Sequence, residues 1–361
     1  MKNFTTKTIT ILLVSLIAIS HSTEAQDFGA IFEGGTEDAN LYLREYTKPI
    51  MFSFNNGLGG GWYNTAKPHK LLGFDLTAAV NVANIPQSDR RFDFNDVFGG
   101  PDSNLQLLSG GPDLPTAVGG PTDARLRIPI GTTIVDPETG SSITYRENQD
   151  FDAPEGFDVE DFPIVGFPVP TVQLGIGLPK NTDLKIRYAS DFGAIDDGSF
   201  TLLGFGVMHD LKQWVPGLKQ IPFDFSGFIG WTRLSAEFDI NEGNPGDDFE
   251  ADGVAELTAS STTIQGVVSK QIAIITPYLG IGYNIAGSSL NVRGDFTYRD
   301  DSNGNNDEIT ITDPVSLNFK GGSSPRINAG LRIKLLVLTI HAEYTIQKYN
   351  TFTAGVGLNI R

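Results

Sequence analysis

Residues 327–335 read Ile-Asn-Ala-Gly-Leu-Arg-Ile-Lys-Leu, residues 338–346 read Leu-Thr-Ile-His-Ala-Glu-Tyr-Thr-Ile, and residues 352–360 read Phe-Thr-Ala-Gly-Val-Gly-Leu-Asn-Ile. In each stretch every second residue is apolar, and those between are small, polar or charged. A period of two belongs to a β-strand, whose side chains point alternately to opposite faces. Three runs of about ten residues, separated by short links, are the pattern of a membrane-spanning barrel with its apolar face toward lipid and its polar face toward the lumen. A soluble sandwich also alternates. Two features favour the barrel. The second face carries the charges of Arg332, Lys334 and Glu343, and Tyr188, Trp231, Tyr278, Tyr283 and Tyr344 fall at strand ends, where aromatic belts meet the membrane interface.

The same alternation runs upstream through 73–85, 171–178 and 182–188, placing Asp75, Lys185 and Arg187 on the polar face. Residues 199–215, 221–240, 257–274 and 276–285 also read as strands. In 221–240 the apolar residues hold odd positions up to Trp231 and even positions from Leu234, which predicts a bulge near Thr232 and Arg233. The expected fold is therefore all-β, a transmembrane antiparallel barrel of about 10–14 strands. Short links fall at 179–182, near Ile275 and at 335–337. Long acidic links fall at 86–168, 241–253 and 286–324. Such barrels have short periplasmic turns and long outer loops, which puts all three acidic links outside. Within the first, 125–134 and 142–146 flank Asp136-Pro137-Glu138-Thr139-Gly140 as an outer hairpin, and 290–298 with 308–319 forms a candidate second one.

Composition agrees. With 41 Gly and 34 Phe and Tyr in 361 residues, the chain suits a sheet with frequent turns. After residue 25 there is no apolar run of about 20 residues, so helical spans are excluded. The absence of cysteine excludes a lipoprotein anchor, disulfides and thiolate metal sites. Net charge is −17, and the three long links account for it, at −10, −5 and −3 for 86–168, 241–253 and 293–308. Acidic loops on a near-neutral scaffold argue against nucleic-acid binding.

Two segments precede the barrel, which is expected over 65–361. Residues 1–25 have the form of a signal peptide, with Lys2 and Lys7, a short apolar run over 9–20, and small Thr23 and Ala25. Cleavage is expected after Ala25, leading to the cell outer membrane. In 26–64, Thr36 with Glu37 and Asp38 reads as a helix start. Ala39, Tyr42, Leu43, Tyr46 and Ile50 recur at helical spacing, and Gly57-Leu58-Gly59-Gly60-Gly61-Trp62 follows. This predicts a short amphipathic helix and a glycine segment that plugs the lumen or lids its mouth, with Tyr42, Tyr46, Gly59, Gly60 and Trp62 as plug or gate residues.

Residues 61–70, Gly-Trp-Tyr-Asn-Thr-Ala-Lys-Pro-His-Lys, then Gly73-Phe74-Asp75-Leu76-Thr77, Pro168-Val169-Pro170-Thr171 and Trp214-Val215-Pro216-Gly217-Leu218, resemble the landmarks of an uncharacterised family of Gram-negative outer-membrane barrels. The layout of helix, barrel and helical periplasmic turn is similar, more distantly, to the long-chain fatty acid transporter superfamily. That second likeness implies only a fold and a hypothesis of transport. The Ile360-Arg361 ending departs from the terminal aromatic usual in such barrels.

Enzymatic chemistry finds little support. His341 and Glu343 share a face, but no Gly-x-Ser-x-Gly elbow or paired serine accompanies them. Gly57–Gly61 lacks the Lys-Ser/Thr of a phosphate loop. Residues 300–308, Asp-Asp-Ser-Asn-Gly-Asn-Asn-Asp-Glu, lack the EF-hand glycine and terminal glutamate and read as a solvated acidic loop. No catalytic residue, metal site or cofactor is expected. Lys185, Arg187, Arg332 and Lys334 either attract anions or pair with Asp75, Asp183 and Glu343. The sequence thus points to a passive channel or transporter for a small, hydrophobic or anionic solute, in contact with outer-membrane lipid. The alternative is a structural or docking protein whose acidic loops bind a surface protein partner. An embedded hydrolase is the third reading.

Overall fold

A computed structural model describes residues 36–101, 103–135, 142–159, 162–191, 198–242, 249–300 and 307–360. The proposed signal segment, its cleavage site and the loop 301–306 lie outside them. Ten strands close into an antiparallel ring: β1 (Phe74–Ala83), β7 (Pro168–Leu178), β8 (Thr182–Ser190), β9 (Gly198–Asp210), β10 (Asp224–Glu242), β11 (Phe249–Ser269), β12 (Ile275–Asp300), β15 (Ser324–Leu335), β16 (Leu338–Ile346) and β17 (Thr351–Ile360). The seam is β1 with β17, in unbroken register from Phe74↔Ile360 to Ala83↔Thr351. Closure leaves the barrel wall without an unpaired strand edge.

The alternation is realised as expected. Leu331 and Ile340 are 44% and 45% exposed on the outside wall, while Arg332 and His341 beside them are buried in the lumen. Tyr188, Trp231, Tyr283 and Tyr344 face outward, but Tyr278 corrects the expected belt. It points into the lumen, where its ring lies over Gly330, a position that would leave no room for a Cβ.

The expected bulge at Thr232–Arg233 is absent. β10 pairs with β9 and β11 in continuous register across it. What changes is the surroundings of the strand. Up to Trp231 its apolar residues face out, apart from Phe228, which turns into the lumen, and from Leu234 they face in: Leu234, Ala236 and Phe238 are buried, with Arg233, Glu237 and Asp239 exposed. The shift in pattern therefore marks the edge of the apolar girdle, beyond which β10, β11 and β12 continue as a wall exposed to water. β12 runs unbroken through residues read from sequence as the start of a loop, and carries β13 (Asp307–Thr312) and β14 (Val315–Phe319) as short partners.

The 84–167 insertion forms a cap at the long-loop end, called outer here. The end with the short turns is called inner. The cap holds β2 (Arg91–Asp93), α2 (Phe94–Phe98), β3 (Gln106–Ser109), β4 (Asp113–Pro115), and the expected hairpin of β5 (Arg125–Val135) with β6 (Ser142–Asp152). Its turn lies outside the described residues. Arg127 donates to Asp150 across the hairpin at 2.6 and 2.8 Å, and that hydrogen bond holds the Asp150 carboxyl below the usual carboxylate range.

Candidate functional site

The lumen is occupied by the chain itself. Helix α1 (Thr36–Leu58), with Pro49 inside it, is longer than the sequence spacing predicts, because it stays helical past Ile50 and into the glycine-rich segment. Its first half is amphipathic, with Arg44 exposed and Tyr42 and Tyr46 buried. From Pro49 onward it is buried on every side, including Ser53, Asn55 and Asn56, because there the barrel surrounds it. It starts at the outer end, where Asp38 accepts from the Asn104 amide at 2.8 Å and Asn40 donates to the Pro314 carbonyl at 2.8 Å. It descends past the rim, where Ser53 donates to the Ala83 carbonyl at 2.7 Å. Residues 59–72 continue to the inner end, where the Leu72 amide donates to the Gly177 carbonyl at 2.9 Å.

The plug meets two different walls. Around α1 the lumen is apolar. Tyr42, Tyr46, Ile50, Phe54 and Leu58 form one core with side chains of the cap (Phe94, Phe98, Leu114, Leu126, Phe151) and of the barrel (Phe200, Leu202, Leu234, Phe238). Tyr46 also donates to the Glu155 carbonyl in the cap at 2.6 Å. Below Leu58 the wall is mostly polar, with Met208, Phe228, Val267 and Tyr278 as an apolar patch around Trp62 and Tyr63. Two arginines reach the glycine segment from different strands. Arg187 on β8 donates to the Gly60 carbonyl at 2.8 Å and the Leu58 carbonyl at 3.3 Å, and Arg326 on β15 donates to the Gly59 carbonyl at 2.7 Å. A Cβ on Gly60 would lie 2.6 Å from Asn81 Oδ1, and Gly61 has φ +67°, so this close approach needs glycine. The Arg187 guanidinium also stacks 3.5 Å above the Trp62 ring. The indole fits a slot left by the lumen-facing glycines Gly206 and Gly230, and packs on Phe228.

Two polar networks fix the rest. The Tyr63 hydroxyl lies 2.9 Å from Gln265 Oε1 and 3.1 Å from Asn328 Oδ1, and Asn328 donates to Glu343 at 2.8 Å. Nearer the inner end, the His69 amide and ring Nδ1 lie 2.7 and 2.9 Å from the two oxygens of Asp183, and its Nε2 lies 2.6 Å from the Asn359 amide nitrogen. Lys185 sits 3.8 Å from both Asp75 and Asp183. Arg332 donates to Asn64 at 3.1 Å, and Lys334 to Asn359. A lumen hollow lined by Gly61, Asn64, Thr77, Lys185 and Met208, among others, has about 10 Å³, room for one water.

The structure therefore places Asp75, Lys185, Arg187, Arg332, His341 and Glu343 inside the lumen and buried, with Lys334 half-buried near the inner rim, and sets Tyr42, Tyr46, Gly59, Gly60 and Trp62 on the plug. Lys185 pairs with carboxylates, whereas Arg187 turns to plug carbonyls. His341 lies against Gly355, and both its ring nitrogens lack a hydrogen-bond partner. Sequence reasoning put Asn81 and Asn328 on the polar face without singling them out, and missed Arg326, Gln265 and Thr353. They occupy the same alternating positions as the residues it named, and that periodicity was the available signal. No group of three His, Asp or Glu side chains arranged to hold a metal ion occurs among the described residues.

The sequence model of a family of unknown function, DUF6588, matches residues 1–360. None of the curated proteins matches the chain. Similar solved structures include the translocator domain of autotransporter NalP from Neisseria meningitidis, at 10% identity over 81% of this chain and 90% of that one, TM-score 0.26. A mutant Rh. blastica porin is 8% identical over 81% and 99%, TM-score 0.17. The beta domain of a Bordetella autotransporter is 9% identical over 80% and 99%, TM-score 0.22. At these scores they add nothing to what the geometry of the chain itself says.

Proposed function

The chain belongs to the family of unknown function DUF6588, and from that premise we propose that it is an outer-membrane barrel sealed by its own N-terminal segment, whose working surface is the acidic outer cap. Membrane placement is supported by the girdle of exposed Leu76, Leu174, Phe205, Ile281, Leu331 and Val356 around a charged lumen. The observation that carries the sealed reading is the sharing of one apolar core by α1, the cap and the outer strands. A core of that size does not part for each passing solute, because exposing it to water costs about 25 cal/mol per Å². The cap and outer loops hold nearly all the net negative charge, which suits a basic or cation-bridged surface partner. Planar-bilayer recording of the full chain tests this. No steady conductance is expected, with a rise on deleting residues 36–58, and ohmic pores in the intact chain would overturn it.

A second reading is transport of a small hydrophobic or anionic solute, favoured by the polar inner lumen. There the plug is held by hydrogen bonds that water can replace. It requires residues 59–72 to leave the wall. Thr65 Oγ1 and Ser269 Oγ lie 3.2 Å apart, so the Thr65→Cys, Ser269→Cys pair can tether them. Uptake into liposomes that persists in the oxidised pair would rule this route out.

A further inference from the structure

The β9–β10 connection, residues 211–223, lies against the outside of the barrel at its inner end. Leu211 comes within 3.5 Å of where a Cβ on the outward-facing Gly227 would stand. The Lys212 ammonium pins the connection by donating to the carbonyls of Ile221, at 2.8 Å, and Phe223. Between connection and wall runs a groove of about 360 Å³, lined by Lys212, Ile221, Phe223, Phe225 and Val268. Directly above it Gly227 and Gly266 are register partners, both turned outward. A Cβ on Gly266 would find only Phe225, at 3.7 Å. The open space at Gly266, beside Gly227 under Leu211, thus continues the groove as a trough into the girdle, toward the next outward pair, Ile229 and Ile264.

Its walls are apolar and its foot is basic. The Lys270 ammonium stands 5.1 Å over the Phe223 ring at the groove. Lys180 and Lys219 are exposed at the same end, and with Lys212 and Lys270 they outnumber the rim acids Asp210 and Asp224. Positive charge beside an apolar slot at a membrane interface matches an anionic lipid. At about 360 Å³ the slot is smaller than one turn of a helix about 10 Å across, but it accommodates a stretch of a single acyl chain.

We infer that this groove binds one anionic glycerophospholipid of the adjoining leaflet, an acyl chain lying along the Gly227–Gly266 trough and the headgroup phosphate meeting Lys270. The inference rests on the membrane reading above, not on the plug. The test is native mass spectrometry of the full chain, released from vesicles of mixed phosphatidylcholine and phosphatidylglycerol. Wild type is expected to retain one phosphatidylglycerol in preference to phosphatidylcholine. Lys270→Gln is expected to lower that preference about fivefold, the effect of one lysine at an anionic surface. Gly266→Leu, which fills the trough with a side chain suited to the lipid-facing wall, is expected to abolish retention while the barrel still inserts. Equal retention of the two lipids by wild type, unchanged retention in Gly266→Leu, or a chain–chain dimer that carries no lipid would each overturn the proposal. Failure to insert into vesicles at all would strike the membrane reading instead, so the two failures are distinguishable.

Discussion

The inner and outer halves of this barrel are built from the same strands with opposite polarity. In the inner half most apolar side chains face out, the patch around Trp62 excepted, and Arg187, Arg326, Lys185 and Glu343 face in. In the outer half of β9 to β12, Phe200, Leu202, Leu234 and Phe238 face in and Arg233, Glu237 and Asp239 face out. One strand, β10, passes from one regime to the other between Trp231 and Leu234 without a break in pairing. The difference teaches that a strand has no fixed inside. Polarity follows the surroundings on each side, which on the membrane reading are lipid around the inner half and water around the outer, and the plug changes character to match.

The strongest way to break that contrast is on β10 itself. Leu234→Asp puts an uncompensated charge into the apolar core around α1 and is expected to cost about 4 kcal/mol or more, whereas Arg233→Leu, one residue away on the wet face, should stay within about 0.5 kcal/mol. Urea titration of the folded barrel in vesicles reads both. Equal effects would mean that the polarity switch is not where the burial pattern puts it.

On the girdle the rule inverts. Ile340→Arg is expected to cost about 2–4 kcal/mol in folding into phospholipid vesicles, as charges do on a lipid face. Glu237→Arg, outward on the outer half, should be near neutral. Next in size is the clasp on the plug. Arg187→Gln removes two charged hydrogen bonds to carbonyls and a stacked ring, worth about 2–3 kcal/mol together. The loss should appear as faster proteolysis near Gly59–Gly61 with the barrel intact. The smallest effect on stability is the most direct test of threading. A cysteine at exposed Glu37 should react with a membrane-impermeant maleimide on intact cells, and one at Lys270 only after permeabilisation.

Much of this was legible in the sequence, and the failures have a common cause. Alternation located the ring strands and lumen-facing Asp75, Lys185, Arg187 and Arg332, because a period of two depends only on backbone geometry. It misread 232–233 as a bulge because a change of face and a change of solvent produce the same shift in pattern. It placed Tyr278 in the belt because an aromatic near a strand end fits either wall. Only the partner glycine, Gly330 on the neighbouring strand, decides the direction. It ended α1 before the glycine segment because glycines are helix breakers on propensity alone, and enclosure by the barrel overrides propensity. The pairing of Arg326 with Gly59 spans 267 residues, beyond the reach of any local pattern.

The path of the N-terminal segment bears on how the molecule is made. It enters at the outer rim and leaves at the inner one, directly into β1, the first strand of the ring, and the ring closes where β1 meets β17, the last. Drawing a packed helix endwise through a finished cylinder would strip its core contacts one by one. Zipping the cylinder shut around a helix already docked on the half-formed wall strips none. The order of assembly this favours is therefore plug first and seam last, with the final β-hairpin acting as the clasp that locks the segment in place.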